Sequence, residues 1–130
     1  MNPADPILLV HTENAPAAIG PYSQAVKTDS LVFLSGQIPL VPKTMEVCEG
    51  GIDAQAHQVF HNLSAVAEAA DSSLNDAVKL TIYLVDLADF AVVNDIMAGY
   101  FNKPYPARAT IQISALPKGV SIEVDAVLAL

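Results

Sequence analysis

The chain is short of basic residues, of charge in general and of cysteine, and each shortage removes a class of function. Six Lys and Arg stand against fourteen Asp and Glu, for a net charge of −8. Nucleic-acid binding rests on rows of Lys and Arg that neutralise phosphates, so a phosphate-tracking surface is not expected. Cys48 is the only cysteine, which excludes an internal disulfide and points to a reducing, cytoplasmic setting. Met1-Asn-Pro-Ala-Asp-Pro6 has no basic stretch ahead of an apolar run, as a leader would. Ile7-Leu-Leu-Val10 is far too short to span a bilayer. No phosphate-binding loop or dinucleotide fingerprint appears.

Apolar residues are plentiful. They make up 52% of the 130 residues, and charged ones only 15%, against about 25% in an ordinary soluble domain. One domain is the natural reading of this length. A domain of this size buries only about two-thirds of its unfolded surface. The apolar excess therefore predicts a homo-oligomer with a substantial interface.

The first half reads as extended segments divided by turns. Ile7 to His11 is a short strand, and 12–21 is a loop with a Gly-Pro pair. Ser23 to Val26 and Leu31 to Ser35 read as two strands joined by a turn. Pro39 to Gly51 is irregular. From Asp53 to Ala70, Ala56, Val59, Phe60, Leu63, Val66, Ala67 and Ala70 recur as one helical stripe. Asp53 is the expected N-cap, and Asp71 follows where a left-handed residue often ends a helix. Phe90, Val93, Met97, Tyr100 and Phe101 make a second stripe from Asp89 to Asn102, with Asp89 as its cap. Between the helices, Val78, Leu80, Ile82 and Leu84 alternate with polar residues as a strand.

The last quarter holds two more strands, each with one apolar and one polar face. Ala107, Ala109, Ile111 and Ile113 share a side, opposite Arg108, Thr110, Gln112 and Ser114. Val120, Ile122, Val124 and Ala126 share a side, opposite Ser121, Glu123 and Asp125. The order is β-β-β-α-β-α-β-β, an α+β fold. Its economical form is one sheet with both helices on one face. The apolar sides of the last two strands are expected to meet the helices. Arg108 and Glu123 then share the uncovered face, and a pocket there lies between subunits if copies pack on it.

The candidate chemistry centres on that pair. Arg108 carries a planar, permanently charged fork suited to a carboxylate. Glu123 suits a general base or a water-orienting group. Asp125 is placed to hold the arginine. An internal salt bridge from Arg108 to Glu123 or Asp125 explains the pattern equally well. His57 and His61 lie one helical turn apart with Glu68 on the same polar face. They lack the glutamate of HExxH, so a solvated surface is the better reading and no metal is expected. The acidic neighbours of Cys48 raise a thiol's pKa, which argues against a nucleophile. Gly36, ending a strand, lets bare backbone approach a ligand, although alone it reads as a turn or bulge.

The residues also carry a family resemblance over essentially the whole chain. Thr12-Glu-Asn-Ala-Pro-Ala-Ala-Ile-Gly-Pro-Tyr-Ser-Gln24 comes first, then Ser35-Gly-Gln-Ile-Pro39. Ala54-Gln-Ala56 with Asn62 and Asp86-Leu-Ala-Asp-Phe-Ala91 with Val93-Asn94 follow. Pro106-Ala-Arg108, Leu116-Pro-Lys118 and Ile122-Glu123 complete it. In these ordered blocks the chain resembles the Rid family, the RidA/YjgF-like reactive intermediate deaminases.

The resemblance implies a chorismate-mutase-like fold and a homotrimer with clefts between subunits. It also implies cofactor-free hydrolysis of 2-imino acids to 2-oxo acids and ammonia. Arg108 matches the arginine that grips the substrate carboxylate, and Glu123 the glutamate associated with the attacking water. Tyr22, Ser35, Gly36 and Asn94 match other cleft positions, and Thr110 stands where the family often has Cys. Asp71 and Met45 each stand where Gly is usual. A small-metabolite binding protein without turnover is the alternative. An RNA-cleaving or translation-inhibiting role, also linked to the family, fits poorly with the net charge of −8.

Overall fold

A computed structural model describes residues 7–130; the Met1–Pro6 stretch examined for a leader lies outside them. Six strands form one mixed sheet: β1 (Leu8–Val10), β2 (Ala25–Lys27), β3 (Leu31–Gln37), β4 (Ala77–Leu84), β5 (Ala107–Gln112) and β6 (Ile122–Ala129). Their order across the sheet is β1-β2-β3-β6-β4-β5, and β4 and β5 run parallel. Helices α1 (Ile52–Ala69) and α2 (Phe90–Ala98) complete the expected order of elements. No helix among the described residues is long and apolar enough to cross a membrane.

Both helices cover one face, because both present apolar stripes that need the same cover. From α1, Ala56, Val59, Phe60, Leu63, Val66 and Ala67 are buried, as the periodicity predicts. From α2, Val93 and Met97 are buried. They meet Leu80, Ile82 and Leu84 of β4 and Ile122, Val124, Ala126 and Leu128 of β6. Each fully buried Val, Leu, Ile or Phe among them contributes about 1.5–3 kcal/mol. The opposite face of the sheet carries no helix. Phe33 there is 46% exposed.

The helix ends differ from expectation. Gly51 is the N-cap of α1, and Asp53 lies inside the first turn, where its charge favours the helix dipole without capping. Before α2, Leu87–Asp89 forms a 3-10 turn. Asp86 caps that turn, accepting the Ala88 N–H at 2.9 Å, and Asp89 stands at the N-cap of α2 as expected, but without a side-chain capping bond. Helix α2 ends at Ala98, short of the expected Asn102. Val78 is 46% exposed instead of core, because the β4–β6 register shifts between Ala77 and Lys79. Asp71 and Met45 adopt φ of 58° and 59°, the left-handed conformation that favours glycine.

Gln24 organises the loop before β2. It is 2% exposed. Its Oε1 accepts the Thr12 N–H at 2.7 Å, and its Nε2 donates to the carbonyls of Thr12 and Pro16 at 2.9 and 2.8 Å. Gln24→Ala strands these buried backbone groups. A loss of about 2–4 kcal/mol is expected in urea unfolding at fixed protein concentration.

Candidate active site: two half-sites on opposite faces of the sheet

Arg108 does not share a face with Glu123. In the β4–β5 register Arg108 lies beside Leu80 and Thr110 beside Ile82. Leu80 and Ile82 point into the core under the helices, so Arg108 and Thr110 point to the helix face. In the β4–β6 register Glu123 lies opposite Tyr83 and Asp125 opposite Thr81, on the open face. The apolar side of β5 is reversed in the same way. Ile111 lies beside Tyr83 on the open face and is 43% exposed. The physical reason is position: β5 is an edge strand, reached only by the rim of α2, so its helix side tolerates polar residues.

Within one protomer this excludes the Arg108–Glu123 and Arg108–Asp125 salt bridges, and Asp125 does not hold the arginine. Among the described residues the only ion pair joins Lys27 and Asp71, 3.7 Å apart.

The first half-site is built by α2 and β5. Arg108 donates from Nη1 to Asn94 Oδ1 at 2.6 Å, and the same nitrogen lies 3.6 Å from Met97 Sδ. Its guanidinium carbon sits 5.3 Å from the centre of the Phe90 ring, a cation–π distance. Phe90, expected in the core, is instead a platform for the arginine. Asn94 and Phe90 are one helical turn apart on α2, and this spacing brings amide and ring to the same guanidinium. These partners are neutral, so the charge stays available in an open groove of about 410 Å³ with Tyr105 and Pro106 on its wall. The Thr110 hydroxyl, on the same face, is buried without a hydrogen-bond partner among the described residues.

The second half-site is built by β3, β6 and the loop ahead of β2. A groove of about 430 Å³ is lined by Tyr22, Ser35, Gly36, Lys118 and Glu123, among others. The β3–β6 register shifts between Leu34 and Gln37, a bulge that places Gly36 against Glu123. A Cβ on Gly36 would lie 2.8 Å from Glu123 Oε2, so the Glu123 carboxylate holds this position only over a bare backbone. The Ser35 hydroxyl donates to the Ser23 carbonyl and ties the strand to the loop. Tyr22 is 52% exposed at the mouth.

Glu123 has its pKa raised, first by burial and then by the negative charge of Asp125. A carboxyl whose folded pKa exceeds its unfolded one favours the fold below the unfolded pKa, and that benefit is lost as pH rises through the folded pKa. At neutral pH its charge therefore costs stability. Glu123→Gln should raise Tm at pH 7–8, with the gain shrinking toward pH 4, measured by calorimetry across that range.

The remaining candidates fall outside both grooves. His57 Nδ1 lies 2.9 Å from the Tyr100 hydroxyl, and the His61 ring packs edge-on to Tyr100 at 5.7 Å. Among the described residues no group of three or more His, Cys, Asp or Glu is placed to hold a metal ion. The Cys48 thiol is pushed up, as expected, but by burial and not by its acidic neighbours. Sequence reasoning missed Phe90 and Met97 as arginine partners. Their i and i+7 spacing around Asn94, together with the arginine on the next strand, is the only signal that could have found them.

Known proteins with this architecture decide the family. A family described as Endoribonuclease L-PSP matches residues 12–130. The chain is a Rid family member. It is 50% identical over 119 residues to a RutC family protein of Pyrococcus horikoshii, covering 92% of this chain and 94% of that one. It is 43% identical over 119 residues to the 2-iminobutanoate/2-iminopropanoate deaminase of Mus musculus, covering 92% and 88%. The crystal structure of RidA from the Antarctic bacterium Psychrobacter sp. PAMC 21119 superposes with a TM-score of 0.91 at 50% identity, covering 95% and 99%. The Rid fold is thus the one observed: a single mixed sheet with two helices.

Proposed function

We propose that the chain hydrolyses reactive 2-imino acids, and their enamine tautomers, to 2-oxo acids and ammonia. The observation that carries this reading is the state of Arg108. It is a permanent cation held by a neutral amide and an aromatic ring, with no described carboxylate paired to it and an open groove in front. Such a group is an anion receptor, and the substrate class carries a carboxylate. The naming of two mammalian relatives as 2-iminobutanoate/2-iminopropanoate deaminases, and of a plant relative as a reactive intermediate deaminase, supports the same chemistry.

The reaction asks little of the protein. The imine carbon is already electrophilic. Water adds to it, its proton passes to nitrogen, and the carbinolamine collapses to the 2-oxo acid as ammonia leaves. Arg108 fixes the substrate by its carboxylate. Glu123 orients the water and takes its proton, and a raised pKa makes it the better base. Proximity and orientation supply most of the acceleration. No cofactor or metal enters these steps.

Both groups must reach one substrate, yet one protomer holds them on opposite faces of its sheet. The site is therefore completed between copies. A homotrimer with three clefts, each taking Arg108, Asn94 and Thr110 from one subunit and Tyr22, Ser35, Gly36 and Glu123 from the next, meets this requirement. The exposed apolar groups of the open face, Phe33 and Ile111 among them, give the copies something to bury. The lone Cys48 suits a reducing compartment such as the cytoplasm.

The test generates 2-aminoacrylate in situ with a dehydratase and follows ammonia and pyruvate release. Faster release than the uncatalysed reaction is expected. Saturable binding of a 2-oxo acid with no effect on rate would replace the enzyme by a metabolite-binding protein.

A further inference from the structure

The Glu123 carboxylate makes no hydrogen bond with any described residue, yet the side chain has close neighbours on both sides. Gly36 of β3 closes one side, with the space of a missing Cβ occupied by the Glu123 carboxylate. Tyr83 of β4 stands directly opposite Glu123 in the antiparallel register. Tyr83 does not bond Glu123. Its ring leans along the sheet, and its hydroxyl donates to Asp125 Oδ2 at 3.0 Å. Asp125 lies two residues after Glu123, so both carboxylates sit on the open face.

We propose that Tyr83 and Asp125 are positioning residues for Glu123. The Tyr83 hydroxyl anchors the Asp125 carboxylate, and the anchored pair lies beside Glu123 on the open face of the sheet. The proposal rests on the reading of Glu123 as the water-handling group.

The electrostatics follow from this geometry. Within one protomer the groups facing Glu123 are Asp125 on its own strand, Tyr83 on β4, and Lys118 and Tyr22 across the groove, while β3 brings the uncharged Ser35, Gly36 and Gln37; in the proposed trimer the Arg108 half-site of the neighbouring subunit completes the cleft and adds its positive charge to every variant alike. The hydrogen bond from Tyr83 fixes the Asp125 carboxylate in place and holds the phenol's own pKa up. The negative charge of Asp125 raises the pKa of Glu123 behind the larger contribution of burial. A carboxylate of higher proton affinity takes a proton from water more readily and returns it to the departing amine.

The test is a ¹³C side-chain-carboxyl NMR titration of the full-length oligomer labelled at glutamate. The Glu123 resonance is assigned by its loss in Glu123→Gln. Asp125→Asn should lower the Glu123 midpoint by ~0.5–1 pH unit. Tyr83→Phe should lower it by less, because Asp125 keeps its carboxyl but loses the donor that holds it in place. Asp125→Glu should retain the wild-type midpoint. The acid limb of the kcat/KM profile for imine hydrolysis should move with the midpoint in each variant. An unchanged midpoint in both Asp125→Asn and Tyr83→Phe overturns the proposal, as does a moved midpoint with a fixed acid limb. A midpoint that moves in a wild-type background without imine hydrolysis refutes the reading of the site and leaves the coupling standing.

Discussion

Arg108→Ala is expected to lower kcat/KM for 2-imino acids by about a hundredfold to a thousandfold, the usual loss when one partner of a charge-assisted bidentate pair is removed. The fold should be unaffected, within about 0.5 kcal/mol, because the side chain is exposed and its bond to Asn94 is exposed too. Arg108→Lys keeps the charge but not the fork, and a point charge cannot reproduce both contacts. It should recover only part of the loss. Steady-state kinetics with in situ imine generation, beside circular dichroism and sedimentation, separate lost chemistry from lost structure. Wild-type turnover by Arg108→Ala would remove the carboxylate clamp from the account.

Gly36→Ala should cost about a hundredfold in activity through displacement alone. The new Cβ would meet Glu123 Oε2 at 2.8 Å and Cδ at 2.9 Å, closer than real contacts allow. The atoms in the way are the far end of a flexible side chain. Glu123 therefore swings aside, and the backbone does not break. The expected signature is a fall in kcat with Tm almost unchanged. A variant with normal kcat would show that Glu123 need not occupy the position it has over Gly36. The double variant Gly36→Ala with Glu123→Gln tests the route of the effect. If Gly36 acts through Glu123, the second substitution adds little to the first.

The helical stripes and the order of elements could be read from the sequence because periodicity reports them directly. Every apolar residue of the Asp53–Ala70 stripe is buried. Ordered blocks matching a known family also pointed to Arg108 and Asn94 in one groove and to Tyr22, Ser35, Gly36 and Glu123 in the other, but not to Phe90 and Met97 beside the arginine. What could not be read was which way β5 faces. Alternation divides Ala107–Gln112 into two sides but does not say which side meets the helices. That depends on the partner strand and its register, Leu80 beside Arg108, and no local signal in either strand encodes it. The assumption that an apolar side means the core of the same chain fails at an edge strand, where Ile111 faces outward.

The correction strengthens the case for an assembled site. Had Arg108 and Glu123 shared a face, one protomer could have held the whole site. With the pair on opposite faces, the proposed chemistry needs a second copy. The apolar excess in the composition and the outward side of β5 agree with that need. Thr110 joins the arginine half, with a buried hydroxyl that no described residue satisfies.

Mixing two inactive variants tests this most directly. Arg108→Ala subunits retain an intact Glu123 half-site, and Glu123→Gln subunits retain an intact Arg108 half-site. After unfolding and refolding together at equal amounts, a cleft is whole when each neighbour supplies the half it still has. Random assembly in a closed ring makes this true of about one cleft in four, so about 25% of wild-type activity should return. Each variant refolded alone should stay inactive. No recovery from the mixture, with mixed oligomers verified by native mass spectrometry, would contradict a site shared between subunits.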